Sequence, residues 1–266
     1  MSIKQQIINL LEKISTYDAI NVLDNSLSPK SKAIRLKLVN RPLDDLDLEF
    51  IKKYENKYNI SIPDYDYWRY SSLELSWKKN DEPILYGGFN INGMTELFET
   101  KLGGSAFQIE LETYEDLYAE NLELKDFMWL TKQLATHDAH YGIVHREYGK
   151  YPWDIYFLAK GSVFFMNISF EDYFKAMLDS FAIVGWQYFY IEPDELIART
   201  NNQIMENFDY LFGDSEKYSL PNTAPRINGI LLCMEICAEW LPKLFPGNDF
   251  SYHQQRVSVL RSKLGK

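Results

Sequence analysis

Residues 154–178 read DIYFLAKGSVFFMNISFEDYFKAML, and within this one stretch the chain changes from strand chemistry to helix chemistry. Ile155–Ala159 and Ser162–Asn167 are apolar runs rich in aromatic and β-branched residues. They are broken at Lys160-Gly161, which signals a tight hairpin. At Ser169 the period changes. Ser169 followed three residues later by Asp172 has the form of a capping box. Phe170, Tyr173, Phe174, Met177, Leu178 and Phe181 then recur at helical spacing. The hairpin and the helix each have an apolar face that folding must bury, so they predict an α+β fold.

Upstream, Leu73, Leu75 and Trp77 alternate with Glu74, Ser76 and Lys78, which predicts a half-buried strand. Pro83–Ile91 predicts a second strand, in which Gly87-Gly88 marks a bulge or a close backbone approach. Phe107, Ile109 and Leu111 predict a third, and residues 123–136 a helix burying Phe127, Leu130 and Leu134. Nearer the N-terminus, Ile3, Ile7, Ile8, Leu11 and Ile14 form one helical stripe, and Ile34, Leu36 and Leu38 alternate as a short strand. Leu46, Phe50, Tyr54 and Tyr58 predict a helix over 46–58, started by Asp44 or Asp45 and ended before Pro63.

Downstream, residues 186–191 read as a last strand. Pro193 suits the first turn of a helix continued by Leu196, Ile197, Ile204, Met205, Phe208 and Leu211. Two more helices are expected near 226–241 and 251–264, separated by a loop over Pro242–Asp249. The division this gives is an α+β domain over 1–191 with a helical extension, 192–266, packed on it.

The 266 residues are 46% hydrophobic and 25% charged, ordinary values for a globular protein. Cys233 and Cys237 lie four apart in a helical pattern and read as core thiols, which fits a reducing compartment and a cytoplasmic location. No run approaches the length of a membrane span, and no signal peptide is read at MSIKQQIINLLEKI.

The net charge of −10 is unevenly distributed. Residues 44–126 carry 19 acidic and 8 basic side chains, whereas residues 1–43 carry 7 basic and 3 acidic. Such a field repels nucleic acid and speeds encounter with a basic partner; its plainer meaning is a solvated face. Glu110, Glu112, Glu115 and Asp116 concentrate it, and Trp68, beside Tyr65–Tyr67, supplies a ring suited to an interface.

Several catalytic signatures are absent. There is no Gly-Lys-Ser/Thr after Gly103-Gly104-Ser105 and no Gly-x-Ser-x-Gly elbow. His137, His140 and His145 cluster with Asp138 and Glu147 in THDAHYGIVHRE, which leaves a metal-dependent hydrolase as the alternative. The histidines lie across a helix end and a strand rather than on one face, so no metal or other cofactor is expected.

Three stretches resemble the SUKH superfamily. EFIKKYENKYNISIPDYDYWRY (49–70) is similar to its opening helix, apolar-Pro step and following helix. ELSWKKND (74–81) with ILYGGFNINGMTELF (84–98) resembles its strands, and residues 154–178 resemble its closing hairpin and helix. The resemblance implies a mixed or antiparallel sheet flanked by helices, and a non-enzymatic role. Bacterial members are commonly immunity proteins that neutralise a cognate toxin, and fungal relatives regulate cell-wall assembly. The expectation is a protein that binds another protein, a basic toxin domain, with a nuclease among the candidate activities. A regulatory scaffold with a host partner is a further alternative. The oligomeric state is left open.

Overall fold

A computed structural model gives the fold. It describes residues 3–25, 49, 52–53, 55–56, 73–79, 85–91, 127–132, 141–145, 154–159, 162–200, 203 and 224–266. Among these the architecture is α+β. Seven strands, β1 (Ile20–Asn25), β2 (Leu73–Lys79), β3 (Tyr86–Ile91), β4 (Phe127–Lys132), β5 (Tyr141–His145), β6 (Asp154–Ala159) and β7 (Ser162–Phe165), form one sheet in chain order. Every pairing is antiparallel. The helices are α1 (Ile3–Ile14), α2 (Phe170–Asp179), α3 (Pro193–Thr200), α4 (Arg226–Leu244) and α5 (Ser251–Lys263), with a 3-10 helix over Trp186–Tyr190.

The hairpin and helix of residues 154–178 form as expected. Ala159 pairs with Ser162 across a two-residue connection, and Ser169 caps α2 by accepting a hydrogen bond from the Asp172 N–H at 3.1 Å. The hairpin is held by aromatic pairs on both faces. Tyr156 meets Phe165 at 5.4 Å, and Phe157 stacks on Phe164 at 6.2 Å, with Tyr188 edge-on to both rings. Tyr156 and Phe157 are both buried, so β6 is covered on both sides.

The glycine pair in β3 is a close backbone approach. The segment after α2 docks on the β3 edge, with the Gly88 N–H donating to Ala182 O at 2.9 Å and the Val184 N–H to Tyr86 O at 3.0 Å. A Cβ at Gly87 would strike the Trp77 ring and lie 2.7 Å from Ala182 O. Trp77 Nε1 donates to Phe181 O at 3.0 Å, which fixes the same segment from below.

That segment leaves α2 by an unusual turn. The Ala182 N–H bonds Met177 O and the Phe181 N–H bonds Leu178 O, the pattern of a Schellman cap. The left-handed positions are filled by Phe181 and Ala182, both with φ of 50°, where glycine is the usual occupant. What holds Phe181 there is its ring, stacked on Phe245 at 4.0 Å.

Helix α4 is apolar on nearly all sides because it is covered on nearly all sides. At one end Arg226 donates to Ala159 O in β6; at the other Phe245 packs edge-on against Trp77 in β2 at 5.2 Å. Its 19 residues, about 28 Å at 1.5 Å per residue, thus run across the sheet. Cys233 and Cys237 are free and buried on it. Cys237 Sγ donates to Val184 O at 3.4 Å, and Cys233 closes on Gly185, whose φ of 75° no larger residue would adopt easily. Helix α5 covers α4 with Val257 and Leu260 and is tied to α3 by Lys263–Asp194. The buried residues from Leu10 to Leu260 make one continuous core.

Three expectations fail. Residues 127–132 are strand, not helix. A register shift between Trp129 and Thr131 breaks their alternation, and that irregularity imitates a helical period. Residues 186–190 are a 3-10 helix rather than a strand. A short, wholly buried apolar run has no period by which to tell the two apart. Helix α4 continues through Pro242 to Leu244, so the loop starts later than the proline suggests. In the last turn proline removes only the one N–H bond that Ala238 O would have accepted. Strand β1 was not anticipated. The strands proposed at 34–38 and 107–111, and most of the 46–58 helix, lie outside the described residues.

Candidate functional site

The end of α2, the 3-10 helix, the 245–250 loop and the start of α5 converge on one face of α1. They enclose an open cleft of about 640 Å³, within the size range of small-ligand sites.

One wall is aromatic. Tyr190 and Tyr252 lie 5.1 Å apart with their planes 30° from parallel. Tyr252 is 42% exposed, the one large hydrophobic among the described residues so open to solvent. Both rings are pinned by their hydroxyls. Tyr252 donates to Phe189 O at 3.2 Å, and Tyr190 shares a hydrogen bond with Ser180. Burial lifts both phenols above their ordinary range, so both are neutral at pH 7.

Behind that wall Ser180 Oγ meets His253 Nε2 at 2.8 Å. Ser180 is 0% and His253 2% exposed. Burial lowers the imidazole to about 4, which makes it a neutral ring at pH 7. Its Nδ1 is buried without a hydrogen-bond partner, and four rings surround it, that of Phe189 nearest at 4.7 Å. A serine and a histidine in contact invite comparison with a nucleophile and its base. Here the hydroxyl is sealed from solvent and nothing orients the second ring nitrogen. The pair fastens α5 to the cap of α2.

The opposite wall is polar. Lys13 donates to Asn248 Oδ1 at 3.1 Å and its ammonium lies 5.6 Å from the Phe181 ring centre. Asn248 in turn donates to Phe245 O at 2.8 Å and to the Tyr17 hydroxyl at 3.2 Å, fixing the loop against α1. Asp179, the last residue of α2, also lines the cleft. Burial raises its carboxyl, an effect that Lys175 partly offsets. Lys175 is itself bridged to Asp172 at 3.5 Å.

Trp68, Glu110, Glu112, Glu115 and Asp116 lie outside the described residues, as do His137 and His140. His145 is the last residue of β5, in register with Phe127 and Asp154, and its side chain is not described. Among the described residues no group of three or more His, Cys, Asp or Glu could hold a metal ion, and no helix is long and apolar enough to cross a membrane. The cleft residues were missed because they come from four separate segments. The one local signal was Asp179-Ser180 at a helix end, where an acidic residue is unexpected. No family model, curated protein or solved structure matches the chain.

Proposed function

We propose that this chain is a non-enzymatic, SUKH-like protein that binds another protein, and that its role is to neutralise a basic toxin domain of the nuclease type. The observation that carries the reading is the charge distribution: 19 acidic against 8 basic side chains over residues 44–126, in a chain whose first 43 residues are net basic. An acidic excess of that size steers a cationic partner and repels nucleic acid, and it would compete with the phosphate backbone for a nuclease's substrate groove. The order of hairpin and Ser-capped helix over residues 154–179 is consistent with the resemblance that suggested this role.

The test is neutralisation. A secreted protein with a variable C-terminal domain encoded beside this chain is the expected toxin source. Its isolated C-terminal domain should form a one-to-one complex with this protein and lose its activity. Replacing Glu112, Glu115 and Asp116 together with lysine should slow association about tenfold or more at low salt and leave dissociation nearly unchanged. A rate indifferent to those charges and to salt would reduce the acidic block to a solubility device. Turnover of a small molecule by the pure protein, abolished by replacing His140, would replace the reading with the hydrolase.

A further inference from the structure

The cleft between α1 and α5 combines three features that the fold does not require. The first is a carboxylate in the wrong place. Asp179 sits at the C-terminal end of α2, where the helix dipole disfavours negative charge, and it is partly withdrawn from water. Its near lysine, Lys175, is bridged to Asp172 and offsets the burial of the Asp179 carboxyl only in part. The second is the Tyr190–Tyr252 pair, whose rings are held by their hydroxyls while Tyr252 stays open to the cleft. Tyr190 is packed against Tyr252, Trp186 and His253, so the exposed ring surface is that of Tyr252, and a ring already held in place binds without an ordering cost. The third is the space itself, about 640 Å³ and open at the surface.

A carboxylate beside an oriented aromatic face is the arrangement that holds an organic cation: the charge pairs with the carboxylate and the flat or methylene part lies on the ring. Guanidinium fits better than a compact ammonium, because it is planar, stacks on tyrosine and sheds water more readily. Lys13 lines the same cleft, but its ammonium is bonded to Asn248 and lies over the Phe181 ring.

We propose that this cleft is a binding site for a guanidinium group, held by Asp179 and stacked on Tyr252, which Tyr190 backs. The group has two natural sources, a free small guanidine or an arginine side chain of a protein partner. The site is argued independently of the acidic block over residues 44–126, so loss of one leaves the other standing.

The experiment titrates the intact protein with butylguanidinium, with butylurea as its uncharged counterpart, and with the peptide acetyl-Gly-Arg-Gly-amide, followed by amide chemical shifts. The expected result is saturable binding of the guanidinium probes, on the order of 1 mM for so small a ligand. Shifts should centre on Asp179, Tyr190 and Tyr252, with butylurea at least tenfold weaker. Asp179→Asn should weaken binding tenfold or more while the protein stays folded, because the substitution removes a charge the helix end disfavours. Tyr252→Ala, at an exposed ring, should weaken it about fivefold. Tighter binding of the peptide would assign the site to a protein partner, and tighter binding of butylguanidinium to a free guanidine. Equal binding of butylguanidinium and butylurea, or binding unchanged by Asp179→Asn, would overturn the proposal.

Discussion

His253 concentrates the energetics of the cleft wall in one residue. Its imidazole is buried, neutral and bonded to Ser180, and its pKa falls from 6.5 to about 4. Between these values the unfolded chain binds a proton that the folded chain refuses, so stability falls as pH drops through that window. The full effect, reached below pH 4, is about 3 kcal/mol. Asp179 acts in the opposite sense, because a raised carboxyl binds its proton earlier in the folded state and recovers a part of the loss at the acid end. Urea denaturation from pH 7 to pH 4 should show the decline, and His253→Phe should flatten it. An equally steep decline in that variant would place the titrating group elsewhere.

At the scale of an element, α2 depends on its first residue. Ser169 Oγ accepts from the Asp172 N–H and also donates to Asp172 Oδ2 at 2.6 Å. Replacing Ser169 with alanine should cost about 1 kcal/mol of stability, read as a shift of the denaturation midpoint without a change of slope. This helix was legible because its start signal and its apolar spacing agree. The β6–β7 hairpin was legible for a similar reason, since a Lys-Gly break divides two runs of strand-forming residues. Strand β4 was not, because the irregularity at Trp129–Thr131 replaces period two with a spacing that looks helical. The 3-10 helix was not, because Trp186, Gln187, Tyr188 and Phe189 are all buried and a run without an exposed side carries no period. The cleft was the least legible feature. Asp179, Tyr190 and Tyr252 are ordinary residues in sequence, and only the cap of α2 and the packing of α5 bring them together.

Over the whole molecule, the last helix closes the structure. Helix α5 covers α4 with Val257 and Leu260, satisfies Ser180 through His253, reaches α3 through Lys263–Asp194, and holds the end of the 3-10 helix through the Arg256 bond to Ile191 O. Removing residues 251–266 would bare an apolar strip of α4 and take from the buried Ser180 hydroxyl one of its two partners. Each loss costs on the order of 1–3 kcal/mol, together enough to rival the stability of a domain. The shortened chain should bind a hydrophobic dye and lose its sharp thermal transition. A cooperative transition within a few degrees of the intact protein would show that α5 is an accessory.

Among the described residues strand order follows chain order, with no strand inserted between two earlier ones. Each strand therefore finds its neighbour already made when it leaves the ribosome, and the sheet can grow as fast as translation delivers it. The covering helix α4 comes after the final strand. During synthesis there is a period in which a finished ribbon waits with one oily side bare, and a stall in that interval would hand the nascent chain to chaperones or proteases.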